Sequence, residues 1–271
     1  MKKKLLALAA VAVLGSLATG ASASVLSYPF PDFTVSEGSV PGALSNTVLA
    51  DKINGGYAEW TTVTAGGNFI SSAYANFGSF FSNQGTTNVP SQLNGIGTNT
   101  YNLYAVFQST GQVISSTLFQ GISGTFSLYM DPNQNTTKTL TGSGVAATLG
   151  NNADDYLLAS STLLSYGLGT IISPTAFEFQ FNPFTLTSTD QDAGSAGVQS
   201  GTSYFTAPNP FYLVVQTDGN VIGLGGTPGE YQNVTGAINV SFNVPEPGSL
   251  ALLGLGLAGL GFIQRRRNLV K

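Results

Sequence analysis

The stretch Ala176–Asn182, AFEFQFN, sets Phe177, Phe179 and Phe181 against Glu178, Gln180 and Asn182 with a strict period of two. Successive side chains of a strand point to opposite faces, so this order makes one apolar and one polar face only in a strand. The pattern recurs. In VTGAINVSFNV (234–244), Val234, Ile238, Val240, Phe242 and Val244 oppose Thr235, Asn239, Ser241 and Asn243. In GTFSLYMD (124–131), Phe126, Leu128 and Met130 oppose Ser127 and Tyr129. YNLYAVFQ (101–108) and FYLVVQT (211–217) are apolar on both faces, as more deeply buried strands are. YAEWTTVT (57–64) is a further strand and carries the single tryptophan, Trp60.

Turn-forming sequences separate these stretches: NGIGTN from Asn94, DPNQN from Asp131, TDGN from Thr217 and GTPGE from Gly226. Short strands and turns repeated at this spacing predict an all-β fold, an antiparallel β-sandwich with a jelly roll among its topologies. ADDYLLASSTLLSYG (153–167) allows a helix opened by Asp154 and Asp155, but its Thr162 and flanking glycines favour strand. The segment 187–203, TSTDQDAGSAGVQSGTS, reads as a long exposed loop. No repeat of fixed period is visible, and residues 24–244 are expected to form one domain.

Charge and composition remove several function classes. The thirteen acidic residues lie between Asp32 and Glu246, where the only basic residues are Lys52 and Lys138. Such an acidic body has nothing to offer a phosphate backbone, so nucleic acid is not a partner. The chain has no cysteine and no histidine. Thiolate chemistry, Ser-His-Asp hydrolysis and His-ligated zinc or iron are therefore excluded. A body of this size buries enough core to do without disulfides.

The two ends carry targeting information. Lys2, Lys3 and Lys4, an apolar run from Leu5 to Leu17 and the small residues Ala21 and Ala23 have the layout of a secretory signal peptide over residues 1–23, cleaved after Ala23. At the other end, Leu250–Ile263 is apolar and uncharged, and Arg265, Arg266 and Arg267 follow it. As a helix it spans about 20 Å against a hydrocarbon core of about 30 Å, enough for a transient inner-membrane anchor once flanking residues are drawn in. The arginines hold that end in the cytoplasm while the body is exported. Pro245 and Pro247 keep the approach to this helix extended and open to a processing enzyme.

Val244-Pro245-Glu246-Pro247, the Gly/Leu/Ala-rich helix and the basic tail together resemble the PEP-CTERM sorting signal, here residues 245–271. The resemblance implies an exosortase as processing partner and a final place at the cell surface or in the extracellular matrix. Within the body, LADKINGGYAEW (49–60), YNLYAVFQSTGQV (101–113) and FSLYMDPNQNT (126–136) resemble the flocculation-associated PEP-CTERM proteins. That second resemblance implies a non-enzymatic role in bacterial aggregation, in flocs or biofilm, together with exopolysaccharide.

Two loops offer oxygen ligands for calcium. Asp131, Asn133 and Asn135 open like an EF-hand loop, but Thr136 stands where the turn glycine belongs and Gly142 where the bidentate glutamate belongs. The same residues also suit an Asx-rich hairpin turn. Asp190 and Asp192 form a second pair. A calcium-dependent, lectin-like carbohydrate-binding module is the alternative function. Tyr57, Trp60, Tyr101, Tyr104, Tyr129 and Tyr212 would serve it if they lay side by side on an exposed face, and otherwise they are packing residues. A carbohydrate-active enzyme would need two of Glu37, Glu59, Glu178 and Glu230 across a cleft.

Overall fold

A computed structural model describes residues 31–94, 101–161, 166–173, 176–185, 201–207, 212–220 and 229–243. Its elements in chain order begin with β1 (Phe33–Ser36), β2 (Thr47–Ala50), β3 (Lys52–Val63), β4 (Asn68–Ser82) and β5 (Thr87–Val89). Next come β6 (Asn102–Ser115), β7 (Leu118–Asp131), β8 (Thr137–Thr139), β9 (Thr148–Gly150) and β10 (Tyr156–Ser161). The rest are β11 (Tyr166–Ser173), β12 (Ala176–Thr185), the short α1 (Gly201–Tyr204), β13 (Phe205–Ala207), β14 (Tyr212–Asn220) and β15 (Gly229–Asn243).

The main sheet closes on itself. β3 pairs with β4, β4 with β6, β6 with β7, β7 with β11, β11 with β12, β12 with β14, β14 with β15, and β15 returns to β3. Every pairing is antiparallel, and neighbours in the ring are neighbours in sequence order within it. The expected all-β antiparallel fold is therefore present. The opposed layers that a sandwich draws from two sheets are supplied by one sheet returning on itself. A jelly roll interleaves its strands; this chain runs around the ring as a meander.

The alternating sequences explain the ring. AFEFQFN lies in β12, VTGAINVSFN in β15, GTFSLYMD in β7, NLYAVFQ in β6, YLVVQT in β14 and YAEWTTV in β3. Ile53, Tyr57 and Val63 of β3, Phe69, Ala73 and Phe77 of β4, Leu103 and Phe107 of β6, and Phe119, Phe126 and Leu128 of β7 join Ile238 and Val240 of β15 in one buried core. Aromatic edges and faces organise it, with Phe69 T-shaped to Phe119 at 6.3 Å and Phe107 stacked on Phe126 at 6.4 Å. Each buried phenylalanine contributes roughly 1.5–3 kcal/mol. A small sheet, β13–β1–β2, joins the same core through Phe33, whose ring meets Phe80 and Phe205 edge-on at 6.2 Å each.

Within 153–167, the described residues Tyr156–Ser161 and 166–167 form strand, as their composition favours. β10 runs along Phe126–Met130 of β7, and β11 runs along Leu118–Gly121 of the same strand. The segment between β7 and β10, residues 132–155, is an excursion from the ring that carries the β8–β9 hairpin. Of the loop expected over 187–203, residues 201–203 belong instead to α1, and the remainder lies outside the described residues. The signal helix and the C-terminal membrane helix also lie outside them. Among the described residues no helix is long and apolar enough to cross a membrane.

Crowding from the two neighbouring strands, β4 and β7, leaves no room for a side chain at Gly111 in β6. A Cβ there would run into the Gln120 carbonyl oxygen and lie 2.5 Å from Phe69 ring carbons. Backbone on one side and a T-shaped aromatic pair on the other leave little room to relax. We predict that Gly111→Ala lowers unfolding free energy by about 1–3 kcal/mol, the range for overpacked cores, measured by urea titration of circular dichroism.

Candidate functional site

The excursion leaves the ring at Asp131, the last residue of β7, and returns alongside it at Tyr156, the first of β10, which is the register partner of Met130. That pairing brings Asp131 beside Asp154 and Asp155. One carboxylate oxygen from each of the three lies within 4.8 Å of the others. Two of these acids are sealed: Asp131 is 0 % exposed and Asp155 is 2 % exposed.

Each carboxylate has a distinct environment. Asp131 Oδ1 accepts the backbone N–H groups of Asn133 at 3.2 Å and Asn135 at 3.3 Å, and its Oδ2 accepts that of Thr136 at 3.0 Å. Asp131 thus ties the DPNQNT turn, as the Asx-turn reading expects. Asp155 Oδ2 accepts the Tyr104 hydroxyl at 2.5 Å and the Thr136 hydroxyl at 2.8 Å. Its Oδ1 is buried and has no hydrogen-bond partner. Asp154 Oδ2 accepts the Asn133 side-chain amide at 2.5 Å. Asn135 enters through its backbone only, its N–H to Asp131 and its carbonyl to the Asn151 amide at 3.4 Å.

Lys138 of β8 is the nearest cation. Its Nζ sits 4.5 Å from the centroid of the Tyr104 ring. That ring stacks on Tyr129 at 5.1 Å, so the hairpin covers an aromatic pair on the outer face of β6 and β7. Burial lowers the lysine's pKa, against Asp131 and Asp155, which raise it. Burial likewise raises the Asp155 pKa; hydrogen bonds from Tyr104 and Thr136 oppose this, and Asp131 and Asp154 add to it. Two like charges about 5 Å apart repel by roughly 3 kcal/mol at an effective dielectric of about 20, so three crowded acids need something that holds them together.

Of the residues expected to ligate calcium, Asp131 and Asn133 come together here, while Asn135 contributes no side-chain contact. Asp190 and Asp192 lie outside the described residues. Sequence reasoning missed Asp154 and Asp155 as members of this cluster. The available signal was their position just before a strand, on the far side of a hairpin from Asp131.

The described glutamates named for hydrolysis do not share a cleft. Glu37 is fully buried and caged by its own donors: Asn46 Nδ2 at 2.6 Å, Gln92 N at 2.8 Å, Tyr101 Oη at 3.0 Å and Leu93 N at 3.3 Å. Tyr204 completes the cage by donating to Tyr101 at 2.6 Å. Glu59 sits on β3 and accepts the Thr61 hydroxyl at 2.7 Å, next to Ser71, which is bonded to Ser109 at 2.8 Å. The side chains of Glu178 and Glu230 fall outside the described set. Among the tyrosines proposed to stack on sugars, Tyr57, Tyr101 and Tyr104 are buried, so packing is their role.

β15 ends at Asn243, and the sequence beyond it decides the address. Residues 243–267 match the family model of the PEP-CTERM protein-sorting motif. The chain carries a PEP-CTERM sorting signal. Val244, Pro245, Glu246, Pro247 and Arg265–Arg267 all lie within that match, as the sequence pattern expects. A PEP-CTERM motif implies export, a membrane-anchoring sorting segment and processing by an exosortase. No curated protein and no solved structure matches the chain.

Glu59 gives the ring a pH response. Burial raises its carboxyl pKa, against hydrogen bonds from Thr61 and Ser71 that lower it. A folded-state pKa above the unfolded value of about 4.3 means the folded form holds its proton longer. Stability tied to this group is complete below that value and is lost as pH rises through the folded pKa. Glu59→Gln, which keeps an acceptor for Thr61, should flatten that fall and raise the melting temperature at neutral pH, read by thermal melts from pH 4 to 8.

Proposed function

We propose that the protein is a non-enzymatic matrix component, exported by its signal peptide and processed at its PEP-CTERM segment. At the cell surface it would promote bacterial aggregation with exopolysaccharide. The observation that carries this reading is the junction at Asn243, where the ring's last strand ends and the sorting motif begins. Cleavage beyond that point removes none of the described strands, so the exported product keeps the whole ring.

Other features support a structural role. The body is strongly acidic, which favours solubility and leaves contact with anionic polymer to many weak or cation-bridged interactions. Multivalent display converts contacts of millimolar strength into lasting cohesion. The ring itself supplies a firm scaffold for such display, since eight strands share their backbone hydrogen bonds around a closed circuit. The described glutamates are engaged in structural hydrogen bonds, which favours this role over glycoside hydrolysis.

In a strain lacking the gene, a version truncated after Asn243 should be exported and folded yet fail to restore clumping, whereas the full chain should restore it. Circular dichroism of the released protein and sedimentation of the culture check the two halves. Full rescue by the truncated version would remove the sorting signal from the explanation.

A further inference from the structure

We propose that the base of the 132–155 excursion is a calcium site, with Asp131, Asp154 and Asp155 as its carboxylate ligands. The inference stands apart from the aggregation role: it concerns what closes this loop, whatever the exported protein binds.

Two independent observations lead to it. The first is convergence, since oxygens of three carboxylates from two ends of one excursion lie within 4.8 Å of one another. The second is an orphan. Asp155 Oδ1 is buried without a hydrogen-bond donor, on a residue only 2 % exposed, while the other oxygen of the same carboxylate already accepts two hydroxyls. A buried carboxylate oxygen without a donor is uncommon, because its desolvation is uncompensated. Asp155 is one of the three converging acids, so a cation held among them supplies what its Oδ1 lacks.

The donors select the ion. All are oxygens, and the chain has no histidine or cysteine for a softer metal. Ligands on opposite sides of Ca²⁺ stand about 4.6–5.2 Å apart, and across Mg²⁺ only about 4.0–4.2 Å. Oxygens that all lie within 4.8 Å of one another fit inside a calcium shell. Asp131 already holds the turn Asn133–Thr136 by its backbone, so that ligand is preorganised. Water and turn carbonyls complete a shell of six to eight oxygens. Lys138 stays over the Tyr104 ring, beside the site.

Calcium would then clasp the two ends of the excursion and hold its hairpin over the Tyr104–Tyr129 pair. The Tyr104 hydroxyl, bonded to Asp155, gives a built-in reporter. The test uses the full chain purified in detergent and stripped by chelator, titrated with Tb³⁺ and with Ca²⁺ or Mg²⁺ alone. Tyrosine-sensitised Tb³⁺ emission is expected, displaced by Ca²⁺ with half-saturation at about 0.1–1 mM, as in extracellular calcium modules. The melting temperature should rise by about 3–10 °C at tenfold to hundredfold excess over half-saturation, and less with Mg²⁺.

Asp155→Asn, which preserves an acceptor for Tyr104 and Thr136, should weaken Ca²⁺ at least tenfold. Asp154→Asn should do the same; the Asp154 side chain is half-buried and accepts from the Asn133 side chain, so it tests the site even where Asp155→Asn fails to fold. Absence of a calcium-dependent shift in the unmodified protein overturns the site. So does a shift that persists unchanged in Asp154→Asn, which would place the ion elsewhere on the acidic surface.

Discussion

The ladder between β15 and β3 is the constraint on which the rest depends. Val240 opposite Ile53 and Gly236 opposite Tyr57 join the two ends of the body. Without that ladder the sheet is an open meander with two long exposed edges, each a template for pairing with another chain. With it, eight strands satisfy each other's backbone groups, and β5 and β10 are short additions on β4 and β7. Closure also defines an interior. Ile238 and Val240 reach the same buried cluster as Phe107 and Phe126 only because the first and last strands meet.

Thr61 of β3, Ser71 of β4 and Ser109 of β6 are register partners that form a buried hydroxyl row across three adjacent strands, and Thr61 donates to Glu59 beside it. The N-terminal segment is fixed by the opposite device, a buried carboxylate. Glu37 collects donors from the 46, 92 and 101 regions and holds β1 and β2 beside the ring. In both places the partners of the acid are neutral hydroxyls and amides. A chain with two lysines in its body has to satisfy buried acids with hydroxyls and amides, and the Asp131–Asp155 cluster is the place where that supply falls short.

Strands with large apolar residues on one face were readable in the sequence, because period-two alternation is a direct image of burial. Phe126, Leu128 and Met130 mark β7, and Ile238 and Val240 mark β15, for that reason. β4 was not singled out, since its buried row runs through Ser71, Ala73 and Ala75, residues too small to register as apolar alternation. Partner choice was not readable at all. Alternation says which side faces the core but not which strand lies next door, so a closed meander and a sandwich read alike. Tyr104 shows a further limit: it is buried on the face opposite Leu103 and Ala105 by a hairpin distant from it in sequence. The sorting signal was readable because a processing enzyme meets it as a linear segment. The acidic cluster was half readable, since Asp131 announces a turn while Asp154 and Asp155 join it only through strand pairing.

The adjacency of the closing strand and the sorting motif has a physical consequence. Export proceeds from the N-terminus, so β15 is the last body segment to emerge, directly ahead of the apolar tail. Until it pairs with β3, the ring has open edges. From Asn243 to Leu250 an extended chain covers at most about 25 Å, so a tail held in the membrane keeps the final strand close to the surface while the ring closes. Cleavage after closure releases a molecule without long free edges, whereas cleavage within β15 would release one that invites pairing with its neighbours. A sorting signal beginning where the last ladder ends therefore separates folding from release at the one position where neither step disturbs the other.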